Sequence, residues 1–267
     1  MKAISLHSIV PVRAEAREGS EQNTQMLFAE TCSILEEKPR WNRIKLDLDG
    51  QEGWVDAKMI APMSEKEYEA HISSMKSAAL VAFPVAYAMS ENNGQTIPLT
   101  AGTRLPKYKD GSFELLGVKF RIDASMVRTT PAPLNLQTLL ETTRFFLNTP
   151  YLWGGKNALG MDCSGFTQVI MSLFGKSLLR NASEQATQGI AVPDLSHAQA
   201  GDLVFFNHHS PITNDQSSIT HVGIVLDSER VIHCSGRVKV EKLTGKGIFS
   251  IEKGEYTHHL VQIRRLP

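Results

Sequence analysis

Residues 149–175 read TPYLWGGKNALGMDCSGFTQVIMSLFG, a glycine-rich loop that runs into an apolar segment. Cys163 lies where the two meet, between the polar residues Asp162 and Ser164. The apolar pattern predicts a helix that starts at Cys163 and ends before Gly175. Unpaired backbone N–H groups at a helix start favour a thiolate and can stabilise a developing oxyanion. Cysteine is also among the most buried residue types, so a nucleophile and a core residue are both open interpretations.

Two histidines further along the chain offer a base for such a thiol. THVGIVLD (220–227) places His221 at the start of an apolar strand, and RVIHCSG (230–236) places His233 near the end of the next. In an antiparallel hairpin these positions meet at one end of the sheet. A single strand histidine is usually structural, but a thiol, a base and a group that orients the base form a catalytic triad. Cys234 points to the face opposite His233 and is expected in the core.

The C-terminal half has the element order of an α+β domain. A linker with prolines, TTPAPLN, precedes the segment NLQTLLETTRFFLN (135–148), which predicts a helix capped by Asn135. The predicted Cys163 helix follows, and strand-like segments start near residue 200. Helices followed by antiparallel strands predict one α+β domain over residues 131–267.

The N-terminal half predicts two small β-barrels, over residues 1–63 and 85–130. Each contains an Asp-Gly turn signal followed by a strand, and the strands end in DAKMI (56–60) and DASMV (123–127). The similarity predicts a weak internal repeat. Short strands with tight turns favour barrels, which leave no open sheet edge.

A helical connector is predicted between the two barrels, over residues 64–84. Ser64 and Glu67 have the spacing of a capping box, and no glycine or proline follows until Pro84.

The composition excludes several partner classes. Lys plus Arg and Asp plus Glu number 28 each, and no basic block suggests nucleic acid. No apolar run approaches the roughly 18 residues of a membrane span. Three scattered cysteines without a CxxC pattern predict neither a disulfide framework nor a metal site. With no secretion signal at the start, a cytoplasmic location is expected; the alternative is a periplasmic or exported protein whose signal has been removed.

The segments TPYLWGGKNALGMDCSGF, THVGIVL and VIHCSG resemble the NlpC family of bacterial cell-wall cysteine peptidases. The resemblance covers roughly residues 133–267 and implies a papain-like α+β fold. It implies that Cys163 is the nucleophile, His221 the base and His233 the residue that orients the base. No metal or organic cofactor is implied.

The resemblance also implies residues around the substrate. Tyr151 matches a tyrosine near the oxyanion site, and Asp162 and Ser164 match positions that line the cleft. In the segment RNASEQ, Ser183 is the expected substrate contact, whereas Arg180 is expected to be structural.

The two β units resemble the SH3-like modules of a subgroup that cleaves γ-D-glutamyl–diamino acid bonds in peptidoglycan stem peptides. In that subgroup an acid from the first module holds the free amine of L-alanine. VPVRAEA (10–16) matches this region, so Glu15 is the expected acid, with a solvated strand-end residue as the alternative. A buried carboxylate would reject stems that lack the ammonium, because it would be left without a counterion.

The expected substrate is therefore a free murein stem peptide. Two alternatives stay open: a hydrolase of intact peptidoglycan that uses the SH3-like units as anchors, and a non-catalytic binding protein with the same fold.

Overall fold

The computed structural model describes residues 1–207 and 219–267. They form two compact units, 1–131 with 153–158, and 132–152 with 159–267. The division near residue 131 falls in the predicted linker. Within the described ranges, no helix combines the length and the apolar character that a bilayer crossing requires.

The first unit begins with a seven-stranded antiparallel sheet. Its strands are β1 (Lys2–Ser5), β2 (Ile9–Arg13), β3 (Gln22–Leu27), β4 (Thr31–Glu37), β5 (Trp41–Leu46), β6 (Glu52–Asp56) and β7 (Ile60–Met63). Their order is β3-β2-β6-β5-β4-β1-β7. The predicted turn at Asp49-Gly50 joins β5 to β6, and Gly50 has a φ of 76°, which glycine adopts without strain.

The second part of this unit repeats the same strand order. Its strands are β8 (Ala79–Val81), β9 (Val85–Ser90), β10 (Thr96–Thr100), β11 (Arg104–Leu105), β12 (Ser112–Leu115), β13 (Val118–Ile122) and β14 (Val127–Arg128). They form two sheets, β10-β9-β13-β12 and β11-β8-β14. The combined order equals that of the first sheet with seven added to each strand number. The difference is that the second set is divided into two sheets between β12 and β11. The unit also includes the short strand β15 (Lys156–Asn157).

The two similar segments, DAKMI (56–60) and DASMV (123–127), occupy equivalent places in this repeat. Asp56 and Asp123 each cap a short 3₁₀ helix, Ala57–Met59 and Ala124–Met126 respectively. Each helix leads into the last strand of its set, which pairs with the first strand of the set. The sequence similarity therefore marks a repeated local structure.

The predicted helical connector is only half correct. Helix α1 (Glu65–Met75) starts at the predicted capping box of Ser64. The helix prediction over residues 64–84 is wrong beyond this, because Ala79–Val81 forms β8. Ala79 and Val81 are buried, and β8 pairs with β11 and β14, so sheet pairing and burial override the helix-compatible composition.

The second unit contains three α-helices and eight strands among the described residues. The helices are α2 (Leu136–Thr143), α3 (Cys163–Ser172) and α4 (Ala182–Gln185). The strands are β16 (Gly160–Met161), β17 (Ile190–Val192), β18 (Leu203–Asn207), β19 (His221–Asp227), β20 (Arg230–Ser235), β21 (Arg237–Thr244), β22 (Gly247–Ser250) and β23 (Glu255–Arg265). The main sheet has the order β17-β23-β18-β19-β20-β21-β22, and β22 also pairs with β23, which closes the six strands after β17 into a barrel.

Helix α3 packs against β19 and β20 of this barrel. Residues Cys163 to Met171 of the helix are all buried. The buried polar side chains of Ser164, Thr167 and Gln168 form hydrogen bonds, so the whole helix can lie in the core. Its burial brings the first residue of α3 to the strand that begins at His221.

Candidate active site

Cys163 is the first residue of α3, as predicted. Asp162 caps the helix, and its carboxylate accepts a hydrogen bond of 2.6 Å from the Gly165 N–H. The Cys163 sulfur accepts hydrogen bonds from the backbone N–H groups of Ser164 and Val222. The bond from Val222 places the sulfur beside the first residues of β19, next in sequence to His221.

Burial dominates the acidity of this thiol. It raises the pKa of Cys163 to about 12, and the Asp162 carboxylate adds to the rise. The two N–H groups and the Arg180 guanidinium lower the pKa but do not compensate. The preference for a thiolate expected of a helix start is therefore outweighed by desolvation. A base must remove the thiol proton during any reaction.

The two predicted histidines lie together. In the β19–β20 hairpin, Gly223 is the register partner of His233. Gly223 follows His221 by two residues on β19, so the two histidines lie near each other. His221 Nε2 lies 2.8 Å from His233 Nδ1, and both rings are buried. The prediction that the imidazoles meet at one end of the sheet is confirmed.

Gly223 makes room for this arrangement. A Cβ atom at this position would lie 2.6 Å from Val231 Cγ2 and 3.1 Å from His233 Cβ. Side chains never approach as closely as the first of these distances. The glycine in THVGIVLD therefore allows the hairpin to close beside His233.

Glu241, on β21, was not predicted from the sequence. Its Oε2 atom lies 2.9 Å from His233 Nε2 and 3.0 Å from Lys239 Nζ. Burial alone would raise the pKa of Glu241, but hydrogen bonds from His233, Lys239 and Ser250 lower it to about 2. The pKa of His233 is lowered, chiefly by burial, although the Glu241 carboxylate opposes this. Strand alternation was the sequence signal that could have pointed to Glu241. Lys239 pairs with His233, and Glu241, two residues later, lies on the same face of the strand as Lys239.

His258, on β23, also lies against the base. Its ring centroid is 4.3 Å from that of His221, with an angle of 34° between the planes. The residue is buried. His258 therefore forms one wall of the space that holds the His221 ring.

Asp162 and Ser164 are hydrogen-bonded to Arg180 at the start of α3. The Arg180 guanidinium, 1% exposed, donates to both Asp162 carboxylate oxygens at 3.0 and 2.6 Å and to Ser164 Oγ at 2.9 Å. Both acceptor residues are buried. These groups are held in a buried ion pair, and the contact of their side chains with substrate stays a prediction. The structural role expected for Arg180 is confirmed.

We expect Arg180→Met to lower the free energy of unfolding by about 3–5 kcal/mol, because it leaves the Asp162 carboxylate buried without a counterion. Urea denaturation measures the change. Arg237→Met is the matched control, since the Arg237–Glu252 pair in the same unit is exposed and should contribute less than about 1 kcal/mol. Equal losses in the two variants would contradict a stabilising role of the buried pair.

Tyr151 is half-buried near the thiol. Its backbone N–H donates to the Gly236 carbonyl oxygen at 2.9 Å. Burial raises the pKa of its phenol, and the charges of Cys163 and Asp162 raise it further. The hydroxyl therefore keeps its proton, which is the state that a hydrogen-bond donor near an oxyanion requires.

Ser183 and Glu15 are both exposed. Ser183 lies on the short helix α4. Glu15 follows the end of β2, has a side chain 63% exposed and pairs with Arg17 at 2.7 Å. The carboxylate is solvated rather than buried, because the chain has left the sheet by this residue, and its binding of the substrate amine stays a prediction.

A cysteine at a buried helix start, set against a histidine pair on an antiparallel barrel, is the arrangement of papain-like cysteine peptidases. Residues 148–265 match the NlpC/P60 family, and residues 12–60 match the bacterial dipeptidyl-peptidase Sh3 domain. The chain therefore contains an NlpC/P60 cysteine peptidase domain and an N-terminal bacterial SH3 domain.

Relatives with known names support this placement. A γ-D-glutamyl-L-lysine dipeptidyl-peptidase of Bacillus subtilis is 28% identical over 256 residues, which cover 91% of this chain and 80% of the relative. The enzyme of the same name from Bacillus cereus is 27% identical over 233 residues, which cover 79% of this chain and 66% of the relative. The crystal structure of an NlpC/P60 family protein from Bacillus cereus has a TM-score of 0.81 over 100% of both chains at 22% identity, which confirms the fold.

Proposed function

We propose that this peptidase hydrolyses the γ-D-glutamyl–L-diamino acid bond of peptidoglycan stem peptides and prefers free L-Ala-γ-D-Glu-diamino acid peptides. The observation that carries the proposal is the hydrogen bond from the Val222 N–H to the Cys163 sulfur, beside the paired imidazoles of His221 and His233. The names of the two Bacillus relatives support the bond type.

The reaction starts with proton transfer from Cys163 to His221. The resulting thiolate attacks the γ-carbonyl carbon and forms a tetrahedral oxyanion. The Tyr151 hydroxyl is a candidate donor to this oxyanion. The His221 imidazolium then protonates the departing α-amine of the diamino acid, which leaves an L-Ala-γ-D-Glu thioester on the sulfur. His221 next takes a proton from water, the hydroxide displaces the sulfur, and the dipeptide is released.

His233 acts in this scheme through its hydrogen bond to His221. The bond fixes the plane of the base, so proton transfer from the thiol involves the other ring nitrogen. Ser183 is a candidate substrate contact, because the segment around it resembles the cleft of the family.

The repeated strand order supports a second SH3-like domain. The set β8–β14 reproduces the order of β1–β7, although the Sh3 domain profile matches only residues 12–60. Two such domains are compatible with the alternative function, a hydrolase of intact peptidoglycan that uses them as anchors.

Substrate choice separates these functions. We expect cleavage of the free tripeptides with L-lysine or diaminopimelate, and a kcat/KM roughly 10- to 100-fold lower for the N-acetylated tripeptides. Acetylation removes an ammonium, whose charged hydrogen bond contributes about 1.5–3 kcal/mol. Product analysis by mass spectrometry measures this, with Cys163→Ala as the blank. Cleavage of whole sacculi but not of free tripeptides would overturn the free-peptide proposal and support the alternative.

A further inference from the structure

We propose that Glu241 is a positioning residue that sets the proton positions of both active-site imidazoles through its hydrogen bond to His233. The inference rests on the proposed function of Cys163 and His221, and it adds a fourth member to the series Cys163, His221, His233 and Glu241.

Hydrogen-bond direction follows from the chemistry of each partner. An ionised carboxylate only accepts, so His233 Nε2, 2.9 Å from Glu241 Oε2, must carry a proton. In the neutral ring His233 Nδ1 then has no proton and must accept. His221 Nε2, 2.8 Å away, is therefore the donor. This leaves His221 Nδ1 as the nitrogen that can take the proton of a thiol.

The surroundings keep Glu241 ionised. Its side chain is 8% exposed, and Lys239 forms an ion pair with it from the same strand. Ser250, on the neighbouring strand β22, donates a further hydrogen bond. A pKa of about 2 means that Glu241 carries its charge throughout the range in which imidazoles titrate.

Other titratable groups also face the histidine pair or its carboxylate. Cys163 approaches from α3, and His258 lies against both rings from β23. Lys253 and Glu255 line the cleft that contains Lys239 and His258. Only the Glu241 carboxylate is within hydrogen-bond distance of His233 Nε2 among the contacts of the described chain.

The negative charge has a consequence for the reaction. When His221 accepts the thiol proton, positive charge develops on the imidazole pair, and the hydrogen-bonded carboxylate stabilises it. Without that charge the imidazolium would form less readily, and the neutral base would persist to lower pH.

Three variants separate charge from packing. We expect Glu241→Gln, which keeps the size and removes the charge, to lower kcat about tenfold or more and to shift the acid limb of kcat/KM down by about one pH unit. Glu241→Asp keeps the charge and should retain an acid limb near that of the wild type. Glu252→Gln, at an exposed glutamate of the same unit, is the control and should change neither quantity.

A wild-type pH profile and kcat in Glu241→Gln would overturn the inference. Equal losses in Glu241→Gln and Glu241→Asp with an unchanged acid limb would also overturn it, because that pattern indicates a packing role. Loss of activity in Cys163→Ala tests the proposed function separately. If Cys163→Ala is inactive and Glu241→Gln behaves like Glu252→Gln, the proposed function stands and the inference fails.

Nuclear magnetic resonance of ¹⁵N-labelled histidine tests the proton positions without relying on activity. At alkaline pH we expect both His221 and His233 to carry their proton on Nε2. A proton on Nδ1 of either ring in the neutral wild-type protein would overturn the inference.

Discussion

Cys163→Ala is expected to lower kcat by about 10⁴-fold or more, because the variant cannot form the thioester and retains only binding and oxyanion contacts. Substrate affinity should change little, since the sulfur contributes few contacts outside the reaction. Steady-state hydrolysis of the free tripeptide measures kcat, and equilibrium binding of the same peptide to the variant measures affinity.

Cys234→Ala is the matched control for this loss. Cys234 is buried and donates through its sulfur to the Met161 carbonyl oxygen at 3.1 Å. Removing that bond should cost about 0.5–1.5 kcal/mol of stability and leave kcat close to the wild-type value. Equal activity of the two alanine variants would show that Cys163 is not the nucleophile.

His221→Ala is expected to reduce kcat by about 10²- to 10⁴-fold, the range for loss of a general base. A Cys163 pKa of about 12 makes the thiol dependent on that base near neutral pH. Activity of the variant should therefore rise with pH as hydroxide replaces the imidazole. The pH dependence of kcat/KM in both proteins measures this.

The exposed His197 provides the control for the histidine deletion. It pairs with Asp194 in the same unit at 2.9 Å. His197→Ala should keep the wild-type rate and pH profile. A His221→Ala variant with the rate and profile of His197→Ala would contradict the role of His221 as base.

The contacts between neighbouring strands could be predicted from the sequence. His221 and His233 stand at opposite ends of two strands joined by a short turn, so antiparallel pairing alone brings them together. Cys163 was predictable for a similar reason, because the change from a glycine-rich loop to an apolar segment marks a helix start. Local rules suffice where a contact depends on one turn or one hairpin.

The contacts that depend on burial could not be predicted in this way. Asp162 is polar and sits beside the cysteine, which is equally compatible with substrate contact and with the buried pair to Arg180. The exposure of Glu15 depends on where β2 ends, and strand ends are the least determined feature of a sequence pattern. For Ala79–Val81, a helix-compatible composition is overridden by pairing with β11 and β14.

The contact between Glu241 and His233 could not be predicted from one hairpin, because it requires a third strand in register. Its distance from His233 depends on the β20–β21 pairing, in which Lys239 is the partner of His233. From the sequence alone, the charged residues of the segment RVKVEKLT are expected on a solvated strand face. The burial of the Glu241 side chain is evident only in the closed barrel.

Mass spectrometry of an acid-quenched reaction tests the central claim most directly. The wild-type protein is mixed with excess L-Ala-γ-D-Glu-diamino acid peptide, quenched within the first turnover and digested. The predicted result is an L-Ala-D-Glu acyl group on the peptide that contains Cys163, and none on the Cys163→Ala protein. Dipeptide release at the wild-type rate by Cys163→Ala, or an acyl group on any other residue, would contradict the claim.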